Sequence, residues 1–407
     1  MRYKPAVCSL VLLLLSSGTH AADESYPNFV FNGYGTLGVV NSSEDKADFR
    51  DTLIQPNGAG FTRDWAFGVD SRIGLQVTAD LNEKLSAVVQ VVSEQRYDGS
   101  YTPTIEWANI KYDFTPDFSL RIGRVVLPVF ITSDYRKVGY ANPWVRPPVE
   151  VYGLLPISNS EGIDASYRFR TESFSNTLQV YSGRKDFDTE VSGRARDAFG
   201  VLDTAEFGDA IFHAGYHQAT ISAEETLAFF DLFRSFGAPG NAIADRYSID
   251  DTPITLWTVG GSYDPGNWFV KSEFARSTSE SFIGTLRGWY VTGGYRLRGF
   301  TPYAGIAQRT RLGNSSDPGL DIAALPPPLQ GFALGLNAGL DTFLNANGYD
   351  TFTIGTRWDF ADSIALKVQL DHMRLDTGSN AELINRQPGY MPGGTVNVFS
   401  ATIDFVF

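Results

Sequence analysis

The chain has 407 residues, a formal net charge of −13 at pH 7, 14% aromatic residues and a mean hydropathy of −0.14. The acidic balance argues against general nucleic-acid binding, which needs a basic surface, and a single cysteine excludes a disulfide scaffold. Beyond the N-terminus no apolar run is long enough for a transmembrane helix, so two readings remain: a secreted all-β protein, or a barrel whose alternating strands hide their hydrophobicity from window averages.

The chain opens on a secretory signal. Arg2 and Lys4 make a basic n-region, Val7 to Leu15 an apolar run too short to span, and Ser16 to Ala21 a small-residue cleavage region. We expect cleavage after Ala21, with Ala22 the second choice, leaving residues 22–407 as one domain. Cys8 leaves with the signal, and the mature chain is more acidic by the loss of Arg2 and Lys4.

Alternation then recurs along most of the length. A first strand covers about 28–41 and a loop runs to about 62. The second strand reaches Asp80, with Trp65, Phe67, Val69, Ile73, Leu75 and Val77 on one face and Asp70, Arg72, Gln76, Thr78 and Asp80 on the other. A turn at Leu81–Lys84 leads to a third strand ending near 96. Strands at about 103–114 and 118–124 flank Thr115–Asp117, and a long irregular stretch continues to about 160. Strands at about 161–170 and 175–184 flank Thr171–Ser173. Two strands within 197–222 meet near Gly208 and Asp209, and the loop to 252 carries a short helix at Glu224–Phe236. Three more hairpins turn at Asp264–Gly266, Arg298–Gly299 and Ala361–Ser363, and a Pro- and Gly-rich loop covers 312–346.

The last strand puts Phe399, Ala401, Ile403, Phe405 and Phe407 on one face and Ser400, Thr402 and Asp404 on the other. Sixteen strands result, joined by eight long loops and seven short turns. An even strand number with that rhythm predicts a transmembrane antiparallel β-barrel, its first and last strands sealed together. The last strand is expected to seal against the segment around Phe29 and Phe31. Tyr112, Phe114, Phe118, Trp268, Phe269, Trp358 and Phe360 fall beside short turns, as interfacial belts do.

Phase assigns the lumen. Arg72, Trp107, Asn109, Lys111, Ser119, Arg121, Asp164, Ser166, Arg168, Arg170, Arg296, Arg309, Arg357 and Lys367 come out inward. An arginine on the lipid face at mid-membrane costs roughly 2–4 kcal/mol. Sixteen strands enclose water rather than a packed core, and fixed charges on such a wall sort solutes by charge and size. The stretch Arg124–Ser160 holds five prolines with Asp134, Arg136, Lys137, Tyr140, Trp144, Arg146 and Glu150. Proline fixes φ and cannot extend a ladder, so this loop is expected to be folded, and to fold inward and narrow the lumen.

Several segments stand in an order that resembles the Gram-negative general porins: Asn32–Gly35, Ser71–Val77, Ile110–Tyr112, Leu120–Arg124, Ala165–Arg168 and the terminal Phe407. The resemblance covers the first half in pieces, plus the C-terminus. It implies an outer-membrane channel for passive diffusion of small hydrophilic solutes and ions, without cofactor or metal, in contact with outer-membrane lipid and assembled as a homotrimer. It further implies that the stretch after Arg124 is the constriction loop, with carboxylates facing a ladder of wall arginines. Arg72 and Arg168 match two of these; Thr104 stands where the third would be. Asp134, Glu150 and Glu161 are the candidate acids, and Phe407 is the expected assembly signal. The second external loop, which latches subunits in that family, is only a few residues long here.

Other readings of the residues compete with this one. A barrel hydrolase needs a nucleophile, a base and an orienting group together. The mature histidines are His213, His217 and His372, and the first two would lie roughly 13 Å apart on a strand, too far to share a metal. A secreted β-sandwich would be soluble without detergent. A channel selective for anions or organic acids keeps the same fold and is permitted by the inward arginines.

Overall fold

The computed structural model describes residues 26–188, 192–313, 316–344 and 348–407. The expected signal peptide lies outside the described residues. Sixteen long antiparallel strands form one closed sheet. They are β1 Asn28–Ser42, β2 Arg72–Asp80, β3 Leu85–Glu94, β4 Thr104–Thr115, β5 Phe118–Val126, β6 Asn159–Arg170, β7 Phe174–Asp188 and β8 Ser192–Phe207. There follow β9 Ala210–Ala223, β10 Thr252–Tyr263, β11 Trp268–Ser279, β12 Thr285–Tyr295, β13 Phe300–Leu312, β14 Tyr349–Ala361, β15 Ile364–Leu375 and β16 Gly394–Val406. Each pairs with the next, and β1 pairs with both β2 and β16. Closure is what lipid demands, because an open edge would leave backbone groups with no partner.

The seam differs in detail from expectation. β16 pairs with Tyr34–Ser42, while Phe29 and Phe31 pair with Ala79 and Val77 of β2. The amide of Gly33 donates to the Phe407 carbonyl at 2.8 Å and the Phe407 amide returns the bond at 3.0 Å. Outside the barrel the Phe407 and Phe405 rings cover Gly33 and Gly35, where a Cβ would meet ring carbons at 2.2 and 2.4 Å.

β2 starts later than its alternation suggests. Trp65–Ala66 pairs with the outer end of β1, but Gly68–Ser71 leave the ladder before β2 resumes at Arg72. Polar bonds take over there: the Ser71 hydroxyl accepts from the Gly38 amide at 2.9 Å. In β4, Trp107 pairs with Gln90 and Ile105 with Val91, so Glu106 is an extra, bulged residue.

The lipid face carries exposed Leu37, Leu75, Ile110, Ile122, Ile163, Val259, Ile306, Ile354 and Ile403. Aromatics collect at the short-turn end, with Tyr112 against Phe114 (4.8 Å) and Phe300 stacked on Trp358 (5.4 Å). Phe269 is a correction: it points into the barrel and is buried, because β11 turns its odd residues inward with Glu273.

The long loops build the other end. Helices α2 Glu224–Arg234, α3 Ala238–Tyr247 and α4 Pro327–Leu344 share a core of Phe230, Phe233, Ile243, Leu336, Leu340 and Leu344. The helix α4 replaces the irregular loop expected at 312–346. Proline is tolerated in a first helical turn, and Leu336, Leu340 and Leu344 repeat at a helical spacing. The first and last external loops join in a small sheet of Asp48–Phe49, Ala59–Gly60 and Leu383–Ile384, packed on inward Val40, Met373 and Val396.

Candidate functional site: the inward loop and the lumen it leaves

Residues 127–158 leave β5, cross the lumen and return to β6. The loop contains the short helix α1, Val149–Tyr152. Its apolar side chains Leu127, Val129, Phe130, Trp144, Val151 and Tyr152 pack on inward Tyr181, Leu256, Phe269, Ala275, Tyr290 and Tyr303 of the wall. Much of one side of the lumen is therefore a packed interface between loop and wall.

Charged groups fasten the loop at four places. Lys137 donates to Glu94 of β3 at 2.5 Å and to Glu106 of β4 at 2.9 Å. Burial opposes the charge on Lys137, but Glu106 and Glu94 outweigh it and hold the ammonium protonated. Arg146 grips both oxygens of Asp70 (2.9 and 2.6 Å), and also bonds Asp371 of β15 at 3.2 Å and Ser400 of β16 at 2.6 Å. Burial works against Arg146 too; Asp70 and then Asp371 more than offset it.

The wall supplies the cations at the third place. Lys367 donates to the carbonyls of Gly139 (2.6 Å) and Trp144 (2.9 Å) and pairs with Asp404 at 3.0 Å. Arg357 reaches the carbonyls of Tyr140 and, at 3.1 Å, Asn142. At the fourth, Glu273 of β11 accepts from the Ile131 amide (3.0 Å), the Tyr152 hydroxyl (2.6 Å) and the Tyr290 hydroxyl (2.7 Å).

The candidate residues therefore separate into groups. Arg146 and Glu150 do not face open water; both are buried, Glu150 receiving a bond from Thr351. Burial pushes the Glu150 carboxyl up to about 7. Arg136 folds back on its own loop, donating to the Leu155 and Tyr152 carbonyls at 3.0 and 3.2 Å. Glu161 lies on the outside of the barrel: it pairs with Arg124 at 2.5 Å, in register above the exposed Ile122–Ile163 pair. Its odd position in β6 puts it out of phase with inward Asp164. Arg170 sits at the short-turn end, half exposed, 3.6 Å from Asp117.

Asp134, Arg121 and Asp164 come together on the side the loop leaves open, whereas Arg168 lies four residues beyond Asp164, its amide bonded to the Asp117 carbonyl at 2.8 Å at the short-turn end. Asp134 is exposed at the loop surface and interacts electrostatically with Arg121 and Asp164. Arg121 donates to Asp164 at 2.8 Å, and Gln179 supplies a second donor to the same carboxylate. Arg168 lies one inward position beyond Ser166 on β6, its Nε 3.4 Å from the Thr177 hydroxyl. Arg72 is inward as expected, but it stands by Asp51 (3.6 Å) and Glu94 (3.9 Å). Thr104 bonds the Val92 carbonyl at 3.4 Å.

Glu94, Glu106, Asp371 and Glu273 were missed as site residues. Glu94 and Asp371 are in phase with Gln90 and Gln369 and were readable from alternation; Glu106 was hidden by its bulge. His213 and His217 are buried in the wall, His213 3.6 Å from Glu273 and His217 3.1 Å from the Tyr181 hydroxyl.

A family model described as Gram-negative porin matches residues 8–385. Among solved structures, the chain is similar to OmpF of Salmonella typhi in complex with daunomycin, at 13% identity and a TM-score of 0.55, covering 94% of this chain and 98% of that one. It is also similar to outer-membrane expressed OmpT of Vibrio cholerae (12% identity, TM-score 0.54, 95% and 99% covered). The in-vitro folded trimer form of that protein aligns at 14% identity and a TM-score of 0.52, covering 94% of this chain and 100% of the other. No curated protein sequence matches the chain.

Proposed function

The chain belongs to the Gram-negative porins, and from that premise we propose that its solutes pass between Asp134 on the inward loop and Arg121, paired with Asp164, on the wall. The protein is an outer-membrane diffusion channel. What supports this position for its narrowest passage is the use of every other large charge on the loop. Lys137 and Arg146 are consumed in anchoring and Arg136 folds back on its own loop, whereas Asp134 remains exposed. Opposed charges across a wet gap set up a transverse field that orients polar solutes and hinders apolar ones, without a site for any one solute.

The polarity departs from a simple acid-loop, arginine-wall design. At Glu94 and Glu106 (β3, β4) and at Asp371 (β15) the acids are on the wall and the cations on the loop. Channel function here has no catalytic step; His213 and His217 serve wall packing. Residues 1–21 act as the cleaved export signal, and the assembly is a homotrimer, which the trimer form of the Vibrio cholerae protein supports by likeness of fold.

Planar-bilayer recordings test the passage. Asp134→Asn and Arg121→Gln should each change conductance and move the reversal potential in a salt gradient, in opposite directions. Unchanged values in both variants would remove these residues from the passage.

A further inference from the structure

Near the external rim, outward-facing charges occur in pairs that neutralise one another. Arg124 of β5 pairs with Glu161 of β6 at 2.5 Å, and Arg374 of β15 pairs with Asp350 of β14 at 3.1 Å. Arg276 of β11 and Arg287 of β12 differ. They are register partners, directly opposed across the ladder. Their sequence neighbours Ala275, Ser277, Leu286 and Gly288 are buried on the inner side, so both arginines project outward and are exposed. Among the described residues neither arginine has a hydrogen bond or an ion pair.

Opposed residues in an antiparallel pair hold their Cβ atoms about 4.5–5.5 Å apart, and like charges there repel. The arrangement is relieved when one anion takes both guanidinium groups. Height identifies where that anion must lie. The two arginines are each eight residues from the exposed aromatic pair Trp268 and Tyr295 at the short-turn end. That is about 26 Å along the strands, or roughly 20 Å across a membrane at a tilt near 40°. They therefore lie about 5 Å inside the outer edge of an apolar band about 25 Å tall, a distance over which long side chains reach up to headgroups. Trp257, in register with Arg276 and 4.6 Å from the Tyr216 ring, and Trp289, bonded to Gln308 at 3.1 Å, flank them with amphipathic rings.

We propose that Arg276 and Arg287 form a clamp for the phosphate of an anionic lipid headgroup in the outer leaflet. Guanidinium forks match phosphate oxygens in pairs, and the two side chains converge from adjacent strands onto one group. The site lies on the barrel's outside and is independent of the passage in the lumen.

The test uses the full-length folded barrel in detergent with a phosphorylated glycolipid, lipid A, and the same lipid stripped of its phosphates. Binding is read by native mass spectrometry, and folding of each variant by heat-modifiable gel mobility. Arg276→Gln with Arg287→Gln should weaken binding of the phosphorylated lipid by about tenfold or more. The single Arg287→Gln change should give an intermediate loss, and Arg374→Gln no change. Inorganic phosphate at matched concentration should not displace the lipid, because it lacks the acyl and sugar contacts. Wild-type affinity in the folded double or single variant would overturn the clamp. So would equal binding of the dephosphorylated lipid; displacement by inorganic phosphate would overturn the lipid as its ligand. Single-channel conductance should stay at the wild-type value in these variants, so failure here is distinguishable from failure of the passage.

Discussion

Arg146 and Asp70 form a two-pronged ion pair inside the barrel, Nε to one carboxylate oxygen at 2.9 Å and Nη2 to the other at 2.6 Å. Both groups are buried, and Asp371 and Ser400 complete the guanidinium's partners. The pair ties the C-terminal part of the inward loop to β15, β16 and the lead-in to β2. Breaking a buried pair from one side strands the other charge, typically at about 3–5 kcal/mol. Arg146→Met should therefore loosen the loop. We expect a lower midpoint in heat-modifiable gel mobility, together with larger and noisier single-channel currents. A variant with wild-type midpoint and quiet channels would show that the loop is held elsewhere.

The passage makes a prediction with a sign. At about 10 Å in a water-like dielectric, one fixed charge changes an ion's energy by about 0.4 kcal/mol, with opposite sign for cation and anion, or about fourfold in their permeability ratio. Asp134→Asn should shift preference toward anions by roughly that factor, and Arg121→Gln toward cations. Arg170→Ala is the internal control. Arg170 lies at the short-turn end beside Asp117, half exposed, and its loss should leave the reversal potential unchanged.

Much of the barrel could be read from side-chain period, and the reasons for the exceptions are local. The lipid face, the strand number and the inward arginines follow from alternation, which is strict where one side is lipid and the other water. Bulges break that rule, and so Glu106 escaped notice. The loop could be read as folded from its prolines. Which of its charges meet water could not, because Arg146 and Asp134 look alike until wall partners from β2, β15 and β16 are placed around one of them. Glu161 needed one more comparison: its phase against Asp164 already excluded it from the lumen.

The terminal residue closes the sheet in two ways, through the reciprocal backbone bonds to Gly33 and through its ring on the glycine's outer side. Deleting Phe407 should reduce the folded, membrane-inserted fraction severalfold while leaving the conductance of inserted channels unchanged. Gly33→Val should reproduce the defect, since its Cβ would meet the Phe407 ring at 2.2 Å. Quantifying heat-modifiable protein in the membrane fraction checks both. Normal insertion of the deletion would remove the assembly role.

Glu150 predicts the pH dependence of loop docking. Buried in α1 against Thr351, its carboxyl is held at about 7 by desolvation, from an ordinary value of 4.5. Between those limits the docked loop binds a proton that the undocked or unfolded chain has released. The docked state then binds more protons, so its stability falls as pH rises from about 4.5 to 7 and levels off above. The shift corresponds to roughly 3 kcal/mol. Glu150→Gln keeps the shape and the bond to Thr351 without the charge. It should flatten the fall in the thermal midpoint across that window and stabilise the protein at pH 8 relative to wild type. A variant whose midpoint still falls as steeply between pH 5 and pH 7 would assign the dependence to another group, with Asp51, raised to about 6 by burial, the next to change.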